Sequence, residues 1–255
     1  MSNPNTSRGL AVVTGGSSGI GLAVAARLHA DGHPVLLTGR NADALAKAAA
    51  ELGGGSSVEV AAFDVADEAG VEEHLRPREV EILVNNAGWA NSSRLDRLAV
   101  ADWNAMLAVH ATGSMLCSRA VIGGMVARNY GRIITVNSMA GVTGEKYIAA
   151  YVAAKHAAIG LMRATAAEVR GTGVTANAVC PAYVDTPMTD RSVENIVKLT
   201  GKDTDDARSS LARMGALGRM VTPEEVAAAV AYFASPEAGA VNGQTLILDG
   251  GGIFG

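Results

Sequence analysis

Leu10-Ala11-Val12-Val13-Thr14-Gly15-Gly16-Ser17-Ser18-Gly19-Ile20-Gly21 opens the periodic part of the chain. Leu10–Thr14 is a short apolar run stopped by glycine, which reads as a buried strand. A glycine-rich string follows at once, then a helical pattern over Leu22–Ala30 that ends at Asp31-Gly32. Glycines at 15, 19 and 21 allow a tight turn, let backbone approach a diphosphate, and let the helix pack close to the strand. The helix N-terminus adds free N–H groups and the positive end of its dipole, so Ser17, Ser18 and Ile20 join the candidate contacts. A glycine string alone also fits a plain turn. Its place between first strand and first helix favours phosphate binding.

The same alternation continues along the chain. Strands are expected at Val35–Thr38, Val58–Phe63, Ile82–Val84, Arg132–Val136, Val174–Val179 and Thr245–Leu248. Helices are expected at Asn41–Leu52, Glu68–Leu75, Ala101–Ala127 and Tyr151–Arg170. Another opens at Thr222-Pro223-Glu224-Glu225, with Thr222 as N-cap, Pro223 at N1 and Glu225 at N3 of a capping box. Strands that are nearly all apolar and alternate with helices argue for an α/β fold, a parallel sheet covered on both faces. No linker or repeat divides the chain, so one domain is expected, with residues 1–8 flexible. Residues 182–217 mix Asp, Arg, Ser, Thr and Met without a clear strand, which suits a substrate loop or lid, or equally an irregular surface helix pair.

Composition limits the function. At 255 residues, 49% of them hydrophobic, the chain can bury a sizeable core. The net charge of −4 and the lack of a Lys/Arg block argue against a nucleic-acid partner. The start shows no apolar secretory segment and no run of about 18 apolar residues is present, so a cytoplasmic protein with no membrane span is expected. Cys117 and Cys180 lie in apolar surroundings without metal-type spacing and read as reduced, buried thiols; no metal is expected.

Two further stretches carry chemistry. Tyr151 and Lys155 are spaced i, i+4 and share one face of a helix. A phenol with pKa ~10 is a poor acid or base at neutral pH, and a neighbouring ammonium lowers that value. Ser138, at the end of the Arg132–Val136 strand, can hold a substrate oxygen, so the three together could move a proton at a carbonyl. At the end of the second strand an acidic residue would bind a ribose 2′-hydroxyl. Gly39-Arg40 stands there instead, and Arg40 can pair with a 2′-phosphate, which favours NADPH while leaving NADH compatible. Position 18 is Ser, so the glycine loop adds no basic residue to that phosphate site.

Taken together, Thr14-Gly15…Gly19-Ile20-Gly21, Asp64, Asn85-Asn86-Ala87-Gly88, Ser138, Tyr151…Lys155 and Pro181-Ala182-Tyr183-Val184-Asp185-Thr186-Pro187-Met188 occur in order at a spacing that resembles the short-chain dehydrogenase/reductase family over essentially the whole chain. The resemblance implies a doubly wound, Rossmann-type sheet in a single domain. It implies that Asp64 and Val65 hold an adenine, that Asn86 lines its ribose, and that Ala87 and Gly88 steady the sheet. Lys155 would bind nicotinamide-ribose hydroxyls and lower the Tyr151 pKa. Val184 and Thr186 would anchor the carboxamide, and Pro181 would start the loop under the ring. The activity implied is reversible reduction of a ketone to a secondary alcohol, with Tyr151 as proton donor. Its C-terminal half resembles 3-oxoacyl and polyketide ketoreductases and general carbonyl reductases.

Three departures bear on this. His110 stands where the family often has an Asn that serves a water relay to the Lys; imidazole could carry the relay, or be only a hydrogen-bonded core residue. Pro181-Ala182 replaces a common Pro-Gly, and the added methyl could narrow the pocket. The segment Glu68–Glu81 looks short. Pocket walls are expected from Met139, Val142, Glu145, Lys146, Tyr147, Ala182, Tyr183, Met188 and Trp89. The substrate is expected to be a small ketone, an alcohol or an acyl thioester. The small residues of Ala101–Ala127 and Tyr151–Arg170 suggest subunit packing, so a homodimer or homotetramer is expected. The alternatives are a dehydrogenase working mainly in the oxidative direction, a non-catalytic NADPH-binding protein, and a lyase on the same fold, which the retained glycine loop disfavours.

Overall fold

Seven apolar segments form strands: β1 (Leu10–Thr14), β2 (Val35–Gly39), β3 (Val58–Ala62), β4 (Val80–Asn85), β5 (Gly131–Val136), β6 (Val174–Pro181) and β7 (Thr245–Leu248). The computed structural model describes residues 8–253. Of the start expected to be flexible, residues 1–7 lie outside the described residues, while Arg8 is placed, its guanidinium 3.3 Å from His33 Nε2. All strand pairs are parallel, in the order β3-β2-β1-β4-β5-β6-β7. Strand order reverses between β1 and β4, so the crevice of a doubly wound sheet opens outside their carboxyl ends.

Helices close both faces, as a parallel sheet requires. α1 (Gly19–Ala30), α2 (Ala42–Glu51) and α9 (Pro223–Ala234) cover one, with Val24, Leu28, Leu45, Val226 and Val230 packed among Val13, Leu37 and Val84. α3 (Glu68–Leu75), α5 (Ser114–Ala127) and α6 (Ala149–Glu168) cover the other, through Leu75, Leu116, Met125, Ile159 and Met162 against Leu36, Leu83 and Ile133. Small residues do much of this packing: Ala154 and Cys117 are fully buried. β3 departs from the all-apolar expectation. It is an edge strand, and Glu59 and Val60 both face outward, Val60 with 43% of its surface exposed. α9 opens with the expected capping box: the Glu225 N–H donates to Thr222 Oγ1 at 3.2 Å, and the Thr222 N–H donates to Glu225 Oε2 at 2.8 Å.

The helix expected over Ala101–Ala127 is not regular. α4 (Val100–Leu107) runs through a π-helical turn at Ala108–Gly113 into α5. The Ser114 hydroxyl donates to the His110 carbonyl at 2.8 Å inside that turn. By length and mean hydropathy, 1.3 over an 18-residue window, Val100–Ala127 is long and apolar enough to cross a membrane, which counting unbroken apolar runs missed. Its apolar side, Leu116, Cys117, Val121 and Met125, is buried in the core.

The region read as a loop or lid, or equally as a surface helix pair, is largely helical. α7 (Pro187–Thr200) and α8 (Thr204–Ala212) are separated by Gly201, which takes the left-handed conformation at φ 70°. Their own small cluster, Val193, Ala207 and Leu211, packs with Tyr183 and Met220. Arg208 fastens the pair by donating to Asp190 Oδ1 at 2.7 Å and to Asp185.

Candidate active site

The crevice is braced through Thr14, the last residue of β1. Its hydroxyl donates to the Val84 carbonyl at 3.3 Å and accepts from the N–H groups of Asn86 and Ala87 at 2.9 and 3.0 Å. Asn86, expected beside a ribose, has its amide on the glycine loop: Nδ2 donates to the carbonyls of Thr14 at 2.9 Å and Gly15 at 3.3 Å. Gly15 has φ 66°, and a Cβ on Gly21 would sit 2.2 Å from the Gly15 carbonyl oxygen. The loop is therefore a close backbone cradle that no side chain fits, the geometry a diphosphate needs. Gly19 faces Thr186: a Cβ there would meet Thr186 Cγ2 at 3.3 Å. Ser18 caps α1 without a side-chain bond, so Ser17, Ser18 and Ile20 surround an open helix end.

The remaining cofactor candidates ring the same crevice. Arg40 is exposed just beyond β2, with Nη1 4.0 Å from Asp64 Oδ2. Asp64 accepts from the Ala66 N–H at 2.9 Å, which fixes the turn after β3. Val65 is buried, and a Cβ on Gly113 of the π-turn would come within 2.8 Å of it. Val184 pairs with Val221 in an isolated parallel bridge beyond Pro181, the last residue of β6, and Thr186 is buried at the start of α7. These residues can hold a dinucleotide along the carboxyl ends of the strands.

Ser138, Tyr151 and Lys155 converge where β5 meets α6. Lys155 is buried, and its ammonium donates to the Val136 carbonyl at 3.0 Å, 5.5 Å from the Tyr151 ring centre. Burial pulls Lys155 down to about 8. The expected lowering of Tyr151 by Lys155 is not found. Burial pushes the phenol up to about 12, opposed only by the nearby Ser138 hydroxyl. Desolvation outweighs the distant ammonium, whose proton is held by a backbone carbonyl. A group with this pKa keeps its proton at neutral pH and is a donor to an oxygen that gains charge.

Asn137, which the sequence reading passed over, locks the trio. Its amide nitrogen donates to the Lys155 carbonyl at 3.0 Å, and its Oδ1 accepts from the Ser138 N–H at 2.8 Å. Ser138 Oγ in turn accepts from the Ala140 N–H at 3.2 Å. A polar residue directly before Ser138 was the available signal, and its partner on α6 could not be read from it.

His110 is buried in the π-turn. Its ring stands edge-on to Tyr151, 5.2 Å between centres at 87°, and Nε2 lies 2.7 Å from the Trp89 carbonyl. That contact makes Nε2–H the donor and leaves Nδ1 the free acceptor. Burial first, then the Lys155 charge, pulls His110 down to about 3, so it is neutral. Gly88 makes room for it: a Cβ there would lie 2.4 Å from His110 Cε1.

The expected pocket walls divide. Trp89 packs with Tyr151 and Met106, and Val142 packs against the core. Met139 opens the turn after Ser138 and is half-buried. Tyr147, also expected as a wall, opens to solvent. It is 62% exposed at φ 69° and lines a surface depression with Arg94, Leu95, Asp96 and Lys146. Its backbone is held there because its carbonyl accepts from the Ser93 N–H at 2.7 Å. Met188 is 37% exposed in the first turn of α7. The Ala182 methyl, expected to narrow the pocket, lies against Gly215, where a Cβ would come within 3.2 Å of it.

A model of the short chain dehydrogenase family matches residues 9–196. The chain belongs to that family. Within the family it is 35% identical over 250 residues to a D-beta-hydroxybutyrate dehydrogenase of Cupriavidus necator, covering 95% of this chain and 97% of that one. It is 35% identical over 245 residues to a 3-oxoacyl-acyl-carrier-protein reductase of Salmonella typhimurium, covering 95% and 96%. Among solved structures, a variant of actinorhodin polyketide ketoreductase with NADPH superposes with a TM-score of 0.91 at 34% identity, over 96% of this chain and 97% of that one.

Proposed function

We propose that the chain is an NADPH-dependent ketone reductase, reversible as an alcohol dehydrogenase. The observation that carries this is the convergence of Ser138, Tyr151 and Lys155 at the end of β5, beside the glycine cradle at the strand-order reversal. The 3-oxoacyl-acyl-carrier-protein reductase and the NADPH-containing ketoreductase structure support the same reading. When bound, NADPH supplies the hydride that a carbonyl carbon accepts. Tyr151 gives the proton to the carbonyl oxygen, and Ser138 holds that oxygen as charge develops on it. Lys155 keeps positive charge beside the phenol and the nicotinamide ribose. His110, neutral, orients the Tyr151 ring and offers Nδ1 to a proton relay.

The glycine cradle of Gly15, Gly19 and Gly21, with Ser17, Ser18 and Ile20, receives the diphosphate. Arg40 takes the 2′-phosphate, and Asp64 and Val65 flank the adenine. Asn86, Ala87 and Gly88 support the loop. Pro181, Val184 and Thr186 position the nicotinamide end, and Met139, Val142, Ala182 and Met188 contribute to the substrate side, with α7 and α8 as its cover. Copies would pair through α4–α5 and α6, where Trp103 and Val126 are exposed, as a cytoplasmic homodimer or homotetramer. Reduction is favoured at neutral pH because burial keeps Tyr151 protonated.

The test is purified protein with a panel of ketones and 3-oxoacyl thioesters, followed with NADPH and NADH. NADPH consumption with at least one ketone is expected. No consumption, together with no NADP reduction by the matching alcohols, would sink the proposal.

A further inference from the structure

Glu145 and Tyr183 join the two segments that flank the reacting centre. Glu145 lies between Ser138 and Tyr151 in the connection from β5 to α6, and Tyr183 lies between Pro181 and Val184 in the connection from β6 to α7. The Tyr183 hydroxyl donates to Glu145 Oε1 at 2.9 Å, a contact spanning 38 residues of chain. Both side chains are half-buried. Burial pushes both the Tyr151 and the Tyr183 phenols up, and the Glu145 charge adds to this at each.

This carboxylate has no compensating cation. Among the described residues no Lys, Arg or His pairs with it; burial pushes its carboxyl pKa up, and the only group that holds it down is the Tyr183 hydroxyl. Its neighbour Lys146 is exposed and lines the outer depression with Arg94 and Asp96. Tyr183 engages Oε1, and no described group hydrogen-bonds Oε2, so that oxygen is free to accept. A second carboxylate brought to Tyr151 would add a like charge in a partly desolvated place, where such repulsion is strong. A hydroxyl or amine would instead donate to Oε2.

We infer that Glu145, held by Tyr183, selects ketones that carry a hydroxyl or amine donor near the carbonyl and rejects keto acids. The inference rests on the reductase reading of the Ser138–Tyr151–Lys155 site and names its substrate class.

The test pair is 4-hydroxybutan-2-one and acetoacetate, which share a four-carbon skeleton and differ in a hydroxymethyl against a carboxylate. Binding of each is measured by calorimetry on the full chain saturated with NADP, and turnover is followed with NADPH on the same samples. The hydroxyketone is expected to bind about 10- to 100-fold more tightly, the size of a like-charge repulsion across roughly 6–12 Å at an effective dielectric near 20. Glu145→Gln should bring the two affinities together, tightening acetoacetate and weakening the hydroxyketone. Tyr183→Phe removes the hydroxyl that holds Glu145 and favours its charge, and should narrow the gap between the two affinities. Equal binding, preference for the acid, an unchanged ratio in Glu145→Gln or in Tyr183→Phe, or no binding of either ligand overturns the inference. Discrimination in binding without NADPH consumption leaves the substrate class standing and counts against the reductase reading instead.

Discussion

The Asn137 side chain donates to the Lys155 backbone carbonyl at 3.0 Å while its oxygen accepts from the Ser138 N–H. One buried amide thus sets the distance between strand β5 and helix α6, and with it the spacing of Ser138 from Tyr151 and Lys155. Asn137→Ala leaves the Lys155 carbonyl and the Ser138 N–H buried without these partners, at a cost of about 1–3 kcal/mol for each. The turnover number should fall while the Michaelis constant for cofactor holds, because the glycine cradle is braced separately by Thr14. Gly141 supplies a sharper check. A Cβ there would lie 2.0 Å from Asn137 Oδ1, so Gly141→Ala should lose activity and thermal stability. Adding Asn137→Ala to it should restore part of that stability. A double variant no more stable than Gly141→Ala alone would show that the clash is not with Asn137.

Tyr151 should behave as a donor that must be deprotonated to run backwards. With burial holding its phenol near pKa 12, reductive turnover should be flat across neutral pH. Alcohol oxidation should climb with pH through the alkaline range, as the phenolate fraction grows. Tyr151→Phe should lower reductive turnover by roughly 10²–10⁴-fold with cofactor binding retained. Initial rates in both directions at matched cofactor saturation check this, and a reductive rate that tracks the oxidative one would reject Tyr151 as the proton donor.

Arg40 should matter to one cofactor and not the other. It stands exposed at the end of β2 with its guanidinium 4.0 Å from Asp64, an ion pair too exposed to hold the fold. Its loss should therefore leave stability unchanged. Charge-assisted contact with a 2′-phosphate is worth about 1.5–3 kcal/mol, or roughly 10- to 100-fold in the Michaelis constant for NADPH. NADH lacks that phosphate, so Arg40→Ala should barely alter its constant. Equal effects on the two cofactors remove Arg40 from the phosphate site.

The sheet was legible because its evidence is local. Apolar runs such as Val35–Thr38, short and bounded by Pro34 and Gly39, read as strands buried on both faces, and Gly15, Gly19 and Gly21 mark a turn whose backbone no side chain tolerates. The capping box at Thr222 and Glu225 was legible for the same reason, as its two bonds lie within four residues. What was missed depends on distant partners. The π-turn around His110 depends on Trp89 and on space left by Gly88. Tyr147 was read as a pocket wall, and its exposure goes with a backbone fixed at φ 69° whose carbonyl accepts from the Ser93 N–H. The i, i+4 spacing put Lys155 on the Tyr151 face without saying that the Val136 carbonyl would take its ammonium. Edge exposure of Val60 could not be read because strand order is set by the whole chain.

His110 gives stability a pH dependence whose sign follows from burial. Unfolded, its imidazole titrates near pKa ~6.5. In the fold it is held down to about 3, mainly by burial and then by the Lys155 charge. Above pH ~6.5 neither state binds the proton. Between there and pH 3 the unfolded chain binds it and the native chain does not, so stability falls as pH drops through that window. The limiting slope from one proton is about 1.4 kcal/mol per pH unit. His110→Asn, which can still donate to the Trp89 carbonyl, should flatten the slope by about one proton. Urea unfolding midpoints from pH 7 to pH 4.5 on both proteins measure it. Parallel slopes would mean that His110 is protonated in the native state, and its place beside Lys155 and Tyr151 would have to be rethought.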